Sequence, residues 1–193
     1  LHISFDENVN PYFPCCIFQI DGKKIYMLKE VLGRNPNNTT AWICRELLRI
    51  CREWDHQGGV FIYGDATSVK GDVKLEKGYD LYRLITDGIS ELKPNRRISN
   101  VNPSVVMRGN FFNAILERNY ADIEFYINET CVEAINDFYS TKEASDGTKN
   151  KAMVRDPKTD VSYQPHGHIT DLTDYLLCYA FAHEYTIYQR SGK

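Results

Sequence analysis

Two β-rich runs on either side of Asp21-Gly22 limit the fold more than any other part of the sequence. The runs are FPCCIFQI at residues 13–20 and KKIYMLKEVL at residues 23–32. Asp-Gly between two such runs favours a tight turn with positive φ, which is typical of a β-hairpin. A third run, LHISF, opens the chain. The chain is therefore expected to begin with three antiparallel neighbouring strands.

After the hairpin, strand patterns alternate with helix patterns. Apolar residues at helical spacing predict helices, the first of them capped by Thr39 or Thr40. These helices are predicted at residues 40–54, 79–89, 105–118, with Ser104 as its cap, 129–139 and 169–185. Strands are predicted at residues 60–63, 97–101 and 121–127, a mobile loop at residues 69–78, and a long loop or exposed hairpin at residues 140–164. Helical crossovers between strands predict an α/β fold, a mixed β-sheet flanked by helices on both faces.

Composition indicates one globular domain. The chain has 193 residues, 42% hydrophobic, with a net charge of −3 and a pI near 6.0, so binding to a polyanion would need a local basic patch or bridging metal ions. The six cysteines form no C-x-x-C and lie mostly in apolar runs, which predicts buried free thiols and an intracellular protein. There is no signal peptide and no run of about 18 apolar residues, so neither secretion nor a membrane span is expected.

Three aspartates occupy positions where an α/β sheet forms ligand sites. Asp6 ends the first strand, Asp65 follows the apolar strand VFIY, and Asp171 lies at the start of the last helix. Ligands bind beyond the carboxyl ends of strands in open α/β sheets. Clustered carboxylates repel one another unless a cation neutralises them, and oxygen ligands favour magnesium or manganese. Each aspartate alone is also explained as a turn or helix cap.

Titratable residues crowd the start of the last helix. His168 and Asp171 are three positions apart and share one helix face if the helix includes His168. His168 is then either a metal ligand or a proton donor to a leaving group, or simply an exposed N-terminal histidine. Asp174 is the alternative to Asp171 as the third ligand, and His166 is assigned to the loop.

These residues resemble the C-terminal nuclease domain of the large terminase subunit of tailed bacteriophages. The matching segments are ISFDENVNP at Asp6, FIYGDATS at Asp65, and HITDLTDY at His168, Asp171 and Tyr175. The chain departs from the family at Leu172, where alanine is usual, and at Asp174, where a basic residue is common. No G-x-x-x-x-G-K-[ST] occurs, so the family's ATPase motor is expected upstream in a longer protein, of which this is the C-terminal domain.

The resemblance implies a ribonuclease H-like fold and a metal-dependent endonuclease that cuts concatemeric viral double-stranded DNA during genome packaging. It implies two magnesium or manganese ions: Asp6 bridges them, Asp65 and Asp171 complete the shells, and His168 tunes the second site. The implied partners are DNA, the portal and the small terminase subunit, in the host cytoplasm, with a monomeric isolated domain. Weak, non-specific DNA contacts are expected from Lys70, Lys74, Arg96, Arg97, Arg108, Lys149 and Lys151.

Three other readings stay open. The first is another ribonuclease H-like nuclease of the resolvase or transposase type, which uses the same carboxylate chemistry. The second is a catalytically inert DNA-binding relative, consistent with Asp174 and the acidic pI. The third is a small-molecule phosphohydrolase, against which the closing helix and the lack of a lid motif argue.

Overall fold

The computed structural model describes residues 1–69, 80–157 and 160–191. Its centre is a six-stranded sheet in the order β5-β4-β1-β2-β3-β6. The strands are β1 (His2–Phe5), β2 (Phe13–Asp21), β3 (Lys24–Gly33), β4 (Val60–Gly64), β5 (Pro94–Arg96) and β6 (Glu124–Ile127). Strand β2 pairs antiparallel with β1 and β3, whereas β4 pairs parallel with β1 and β6 parallel with β3. The three antiparallel strands and the mixed sheet predicted from the sequence are confirmed.

The β2–β3 hairpin supplies side chains to both faces of the sheet. Gly22 in its turn has φ +58°, a left-handed conformation that glycine adopts without a steric cost. Along β2, Cys15 and Cys16 enter two different hydrophobic cores, as the two-residue period of a strand requires. A bulge at Ile17/Phe18 changes the register with β3, so that Met27 faces one core and Val31 the other.

Helices cover the two faces unequally. The helices are α1 (Thr40–Glu53), α2 (Leu81–Gly88), α3 (Val105–Leu116), α4 (Val132–Ser140), α5 (His168–Ala180) and α6 (Ala182–Arg190). Residues of α1 and α2 build one core, and those of α3, α5 and α6, with Ala134 of α4, build the other. Thr39 caps α1 by accepting a hydrogen bond from the Trp42 amide, as predicted. None of the helices in the described ranges has the length and hydropathy that a membrane crossing requires.

The charged segment between α4 and α5 forms two small antiparallel hairpins. Strand β7 (Lys142–Glu143) pairs with β8 (Lys149–Asn150), and β9 (Val154–Arg155) pairs with β10 (Ser162–Tyr163). The β7–β8 hairpin lies against α3. The exposed-hairpin alternative predicted for this segment is therefore confirmed within the residues described.

Three sequence predictions are wrong in detail. The strand predicted at residues 97–101 lies instead at β5, because its extent is set by pairing with β4, and Val101 is exposed. Ser104 precedes α3 without a side-chain cap hydrogen bond. The single last helix is two helices, because Phe181 leaves helical geometry and packs into the core. Most of the loop predicted at residues 69–78 lies outside the described residues.

Candidate active site

Asp6 and Asp65 follow two adjacent parallel strands. Phe5 of β1 pairs with Gly64 of β4, so the two aspartates take the next position on each strand. Neighbouring strands lie about 4.8 Å apart, which brings these residues to one edge of the sheet. Gly64 is required there, because a Cβ would lie 2.2 Å from the Tyr82 hydroxyl and 2.8 Å from the Phe5 carbonyl oxygen. Glycine at position 64 therefore lets β1, β4 and Tyr82 pack closely, with Asp6 and Asp65 next to each other at the strand ends.

Neutral donors orient the Asp65 carboxylate. One oxygen accepts from the Thr67 amide and hydroxyl, both at 2.6 Å, and from the Asn102 side-chain amide at 2.7 Å. The other accepts from the Tyr175 hydroxyl at 3.1 Å. Burial alone would raise the pKa of Asp65, but these hydrogen bonds outweigh it and the pKa is lowered. Asp65 is thus an ionised, rigidly held carboxylate.

Asp6 shares a proton with His168. Its Oδ2 lies 2.9 Å from His168 Nδ1, and the imidazole Nε2 lies 2.9 Å from the Gln164 carbonyl oxygen. One proton lies between Nδ1 and Asp6, and Nε2 faces both that carbonyl, an acceptor, and the Asn8 side-chain amide, a donor, at 3.2 Å. Burial raises the pKa of Asp6; burial alone would lower that of His168, but the hydrogen bond to Asp6 outweighs it and raises it. The side chains are 13% and 6% exposed, so most of the pair is shielded from solvent.

A buried aspartate of α4 fixes the start of α5. Gly167 precedes the helix at φ +101° and has no side chain to cap it. Asp137, 1% exposed, replaces that cap by accepting from the amides of Gly167 (2.5 Å), Ile169 and Thr170 (both 2.9 Å). Ser4 of β1 adds a hydrogen bond of 2.5 Å to the Leu172 carbonyl. These contacts hold the first turn of α5, with His168 and Asp171, against the strand ends.

Asp171 lies in a cluster of charged side chains. Its Oδ1 accepts from Arg108 Nη2 and Lys149 Nζ, both at 3.0 Å, and its Oδ2 accepts from Lys151 Nζ. Asp174, fully buried, lies 2.6 Å from Lys149 Nζ and 3.3 Å from Arg108 Nε. Burial alone would raise the pKa of Asp171, but the three cations outweigh it and lower it; for Asp174 burial prevails and the pKa is raised.

Tyr175 connects the two parts of the site. Its hydroxyl binds Asp65, and the Arg108 guanidinium lies 4.5 Å from its ring centroid. Burial, with the charges of Asp171, Asp65 and Asp6, raises the pKa of Tyr175, although Arg108 opposes this. All three aspartates therefore lie near enough to Tyr175 to raise its pKa, although they come from distant parts of the chain. They do not form one ligand set: within the described ranges, no three Asp, Glu, His or Cys side chains are arranged to hold a single metal ion.

The basic residues predicted to contact DNA fall into three groups. Arg96 and Arg97 are exposed, Arg97 over the Phe61 ring at 4.9 Å. Lys149 and Lys151 are 13% and 33% exposed and pair with the aspartates of α5. Arg108 is 4% exposed, so its expected place at the DNA surface is corrected to a buried ion pair. Lys70 and Lys74 lie outside the described residues.

Sequence reasoning gave no role to four residues that shape the site. Asn102 and Tyr175 bind Asp65, Asp137 caps α5, and Gln164 orients His168. Tyr175 was identifiable only as a residue of the resembling motif and otherwise reads as core. Asp137 gives no local signal, because its partners lie 30 to 33 positions along the chain.

Known structures share this fold. No family model matches the sequence, and no curated protein matches it significantly. A large terminase from the thermophilic bacteriophage D6E superposes with a TM-score of 0.55 and 15% identity over 92% of this chain. The nuclease domain of the large terminase g2p from bacteriophage SPP1, solved with bound manganese, superposes with a TM-score of 0.50 and 12% identity over 92% of this chain.

These similarities define the class of fold. The chain has the ribonuclease H-like fold in the form found in nuclease domains of phage large terminases, which confirms at the level of the fold the resemblance seen in the sequence. It spans 38% of the length of the D6E protein and 85% of that of the SPP1 domain.

Proposed function

We propose that this chain is a metal-dependent endonuclease domain that cuts concatemeric viral double-stranded DNA during genome packaging. The observation that carries the proposal is the pair Asp6 and Asp65 beyond adjacent parallel strands, with His168 of α5 bound to Asp6. Phosphodiester hydrolysis at such a pair is the chemistry of a divalent ion held by carboxylates. The manganese bound by the SPP1 domain supports divalent metal use.

The residues at the strand ends fit a magnesium or manganese ion. Asp65 is ionised and receives only neutral donors, and within the described residues Asp6 has an ion-pair contact with His168 alone. Both supply the hard oxygen ligands that these cations prefer. When bound, such an ion lowers the pKa of a coordinated water and stabilises charge on the phosphate.

The protein groups around the ion position the reaction. Thr67, Asn102 and Tyr175 fix the direction of the Asp65 carboxylate, and Oδ2, which accepts only from Tyr175 among the described residues, keeps a free lone pair. In the reaction a water molecule gives a proton to the solvent as its oxygen bonds to phosphorus, the bond from phosphorus to the 3′ oxygen breaks, and the 3′ oxygen takes a proton. His168 holds a proton at Nδ1 beside Asp6, which makes it the proton donor to that oxygen in this proposal.

The two-ion mechanism expected from the sequence also requires Asp171 to give an oxygen to a second ion. Arg108, Lys149 and Lys151 hold both oxygens of Asp171. The side chains therefore fit one ion at Asp6 and Asp65, and they do not fit a second ion at Asp171 in this arrangement.

The substrate and partners follow from the same proposal. Arg97 and Lys151 are exposed enough to contact phosphates, which gives salt-dependent binding without sequence preference. In a full-length terminase, the portal and the small subunit would be the protein partners, and the host cytoplasm the place of action.

Asp6→Asn tests the activity. It keeps the shape of the side chain but removes the charge that would hold the ion, so we expect plasmid cleavage in manganese to fall at least 100-fold. Circular dichroism and the melting midpoint check that the fold is kept, and Asp21→Asn, at the exposed end of β2, is the control. Cleavage by Asp6→Asn within tenfold of the parent would remove Asp6 from this role.

One observation favours a second candidate, an inert DNA-binding relative. The ion pairs at Asp171 neutralise a carboxylate that a two-ion nuclease needs free. That candidate predicts DNA binding with no cleavage by the unaltered chain at any manganese concentration. Cleavage that Asp6→Asn removes would decide against it.

A further inference from the structure

We propose that Lys149 and Lys151 fill the place of a second metal ion, so that this domain takes a single divalent cation, at Asp6 and Asp65. The inference rests on the proposed function and concerns the cations that the site uses. It treats Asp171 as the acceptor of a built-in cation and not as a metal ligand.

The coordination of Asp171 is the first observation. The donors at Asp171 are all cationic, whereas the four donors at Asp65 are neutral hydroxyl and amide groups. Oδ1 already accepts from Arg108 and Lys149, each at 3.0 Å, and Oδ2 accepts from Lys151. Magnesium binds oxygen at about 2.0–2.1 Å, so an ion on either oxygen would lie within a few ångströms of an ammonium or guanidinium group.

The charge of the cluster is the second observation. Asp171 and Asp174 carry two negative charges, and Arg108, Lys149 and Lys151 carry three positive charges. The cluster therefore has a net charge of +1 and repels a further divalent ion. Screening by solvent is weak, because the Arg108, Asp171 and Asp174 side chains are at most 4% exposed.

The strand ends are electrostatically different. Among the described residues, neither Asp6 nor Asp65 forms an ion pair with a lysine or arginine. Asp65 meets hydroxyl and amide donors, and Asp6 meets one imidazole. The charge of Asp65 is thus left without a cationic partner and that of Asp6 faces one imidazole, whereas the charge of Asp171 is cancelled by three cations.

The β7–β8 hairpin holds the two lysines beside Asp171. Lys149 lies on β8 and Lys151 follows it, and β8 pairs with β7 around a turn in which Asp146 accepts from Thr148 and Gly147 has φ +78°. The Lys151 side chain passes over Gly167, where a Cβ would lie 3.6 Å from Lys151 Cε. Lysine suits this role because its ammonium group is a compact point charge.

Counting bound manganese tests the inference without reference to cleavage. The metal-depleted 193-residue chain is titrated with Mn²⁺, and free Mn²⁺ is followed by electron paramagnetic resonance and the heat by calorimetry. We expect one ion per chain, lost in Asp6→Asn. We expect the paired change Lys149→Met with Lys151→Met to add a second ion, because the cluster becomes negative, with affinity at least tenfold above any second site of the parent.

Lys142→Met is the matched control, because Lys142 is an exposed lysine of the same hairpin without an ion pair to the cluster, and it should leave one ion. Two ions on the parent chain with affinities within tenfold of each other would overturn the inference yet leave the proposed nuclease intact. A folded double variant that still takes one ion would also overturn it. No ion on the parent would overturn both proposals. The count on the parent decides the question even if the double variant does not fold.

Discussion

Asp137→Asn tests how α5 is held at the site. The change is nearly isosteric, but an amide has one acceptor oxygen where the carboxylate has two. Asp137 accepts from three buried amides, those of Gly167, Ile169 and Thr170. With asparagine, at least one of these N–H groups faces an NH₂ group and has no acceptor.

The magnitude follows from those bonds. A buried N–H that loses its acceptor costs about 1–3 kcal/mol. Loss of the negative charge at the helix N-terminus adds about 0.3–1 kcal/mol. We therefore expect Asp137→Asn to lower the free energy of unfolding by about 2–3 kcal/mol and Asp137→Ala by about 4 kcal/mol.

Urea unfolding gives the size of the loss, and amide hydrogen exchange gives its place. Leu47→Ala is a control, because Leu47 is fully buried on α1 in the other core and should cost about 3 kcal/mol. In Asp137→Asn, amide exchange at Ile169 and Thr170 should accelerate by more than the loss of overall stability explains. In Leu47→Ala, exchange at these amides should accelerate only as much as the loss of overall stability explains. A free energy for Asp137→Asn within 0.5 kcal/mol of the parent (roughly the spread of neutral surface substitutions) would refute the trans-capping argument.

Two further predictions concern stability. Gly64→Ala should lower the free energy of unfolding by about 2–3 kcal/mol, because its Cβ would lie 2.2 Å from the Tyr82 hydroxyl. Gly109 lies on α3 with open space around it, so Gly109→Ala should raise the free energy of unfolding by about 0.5–1 kcal/mol. Equal effects of the two changes in denaturant unfolding would contradict the packing argument. The pKa of His168 is raised in the folded state, so protonation of this histidine stabilises the fold. This stabilisation is complete below pH 6.5 and is lost as pH rises through the folded-state pKa. The melting midpoint should therefore fall from pH 6.5 upward in the parent and fall less in His168→Asn; parallel curves would exclude this linkage.

Much of the fold was predictable because its signals are local. Asp21-Gly22 predicted the β2–β3 hairpin, and the alternation of strands with helices predicted the mixed sheet. The local sequence pattern did not predict features that depend on contacts with other parts of the chain. Strand β5 begins at Pro94 because β4 provides its backbone partners, and the break between α5 and α6 has neither proline nor glycine to mark it.

The candidate site was predictable only in part. Asp6 and Asp65 were identifiable because each follows a strand, and the structure brings both to one edge of the sheet. Their role and that of Asp171 as metal ligands stay predictions. Asp171 and Lys149 carry the same sequence signal whether they face solvent, a metal ion or each other.

The sequence by itself determined most of the strands and helices and the positions where acidic side chains follow the strands, because hydrophobic period and turn residues act over a few positions. Only the tertiary structure decided that Asp137 caps α5, that Arg108 is buried, and that two lysines of a distant hairpin neutralise Asp171. The physical reason is that the state of a charged group depends on burial and on neighbours within a few ångströms, and the packed chain supplies those neighbours from residues remote in sequence.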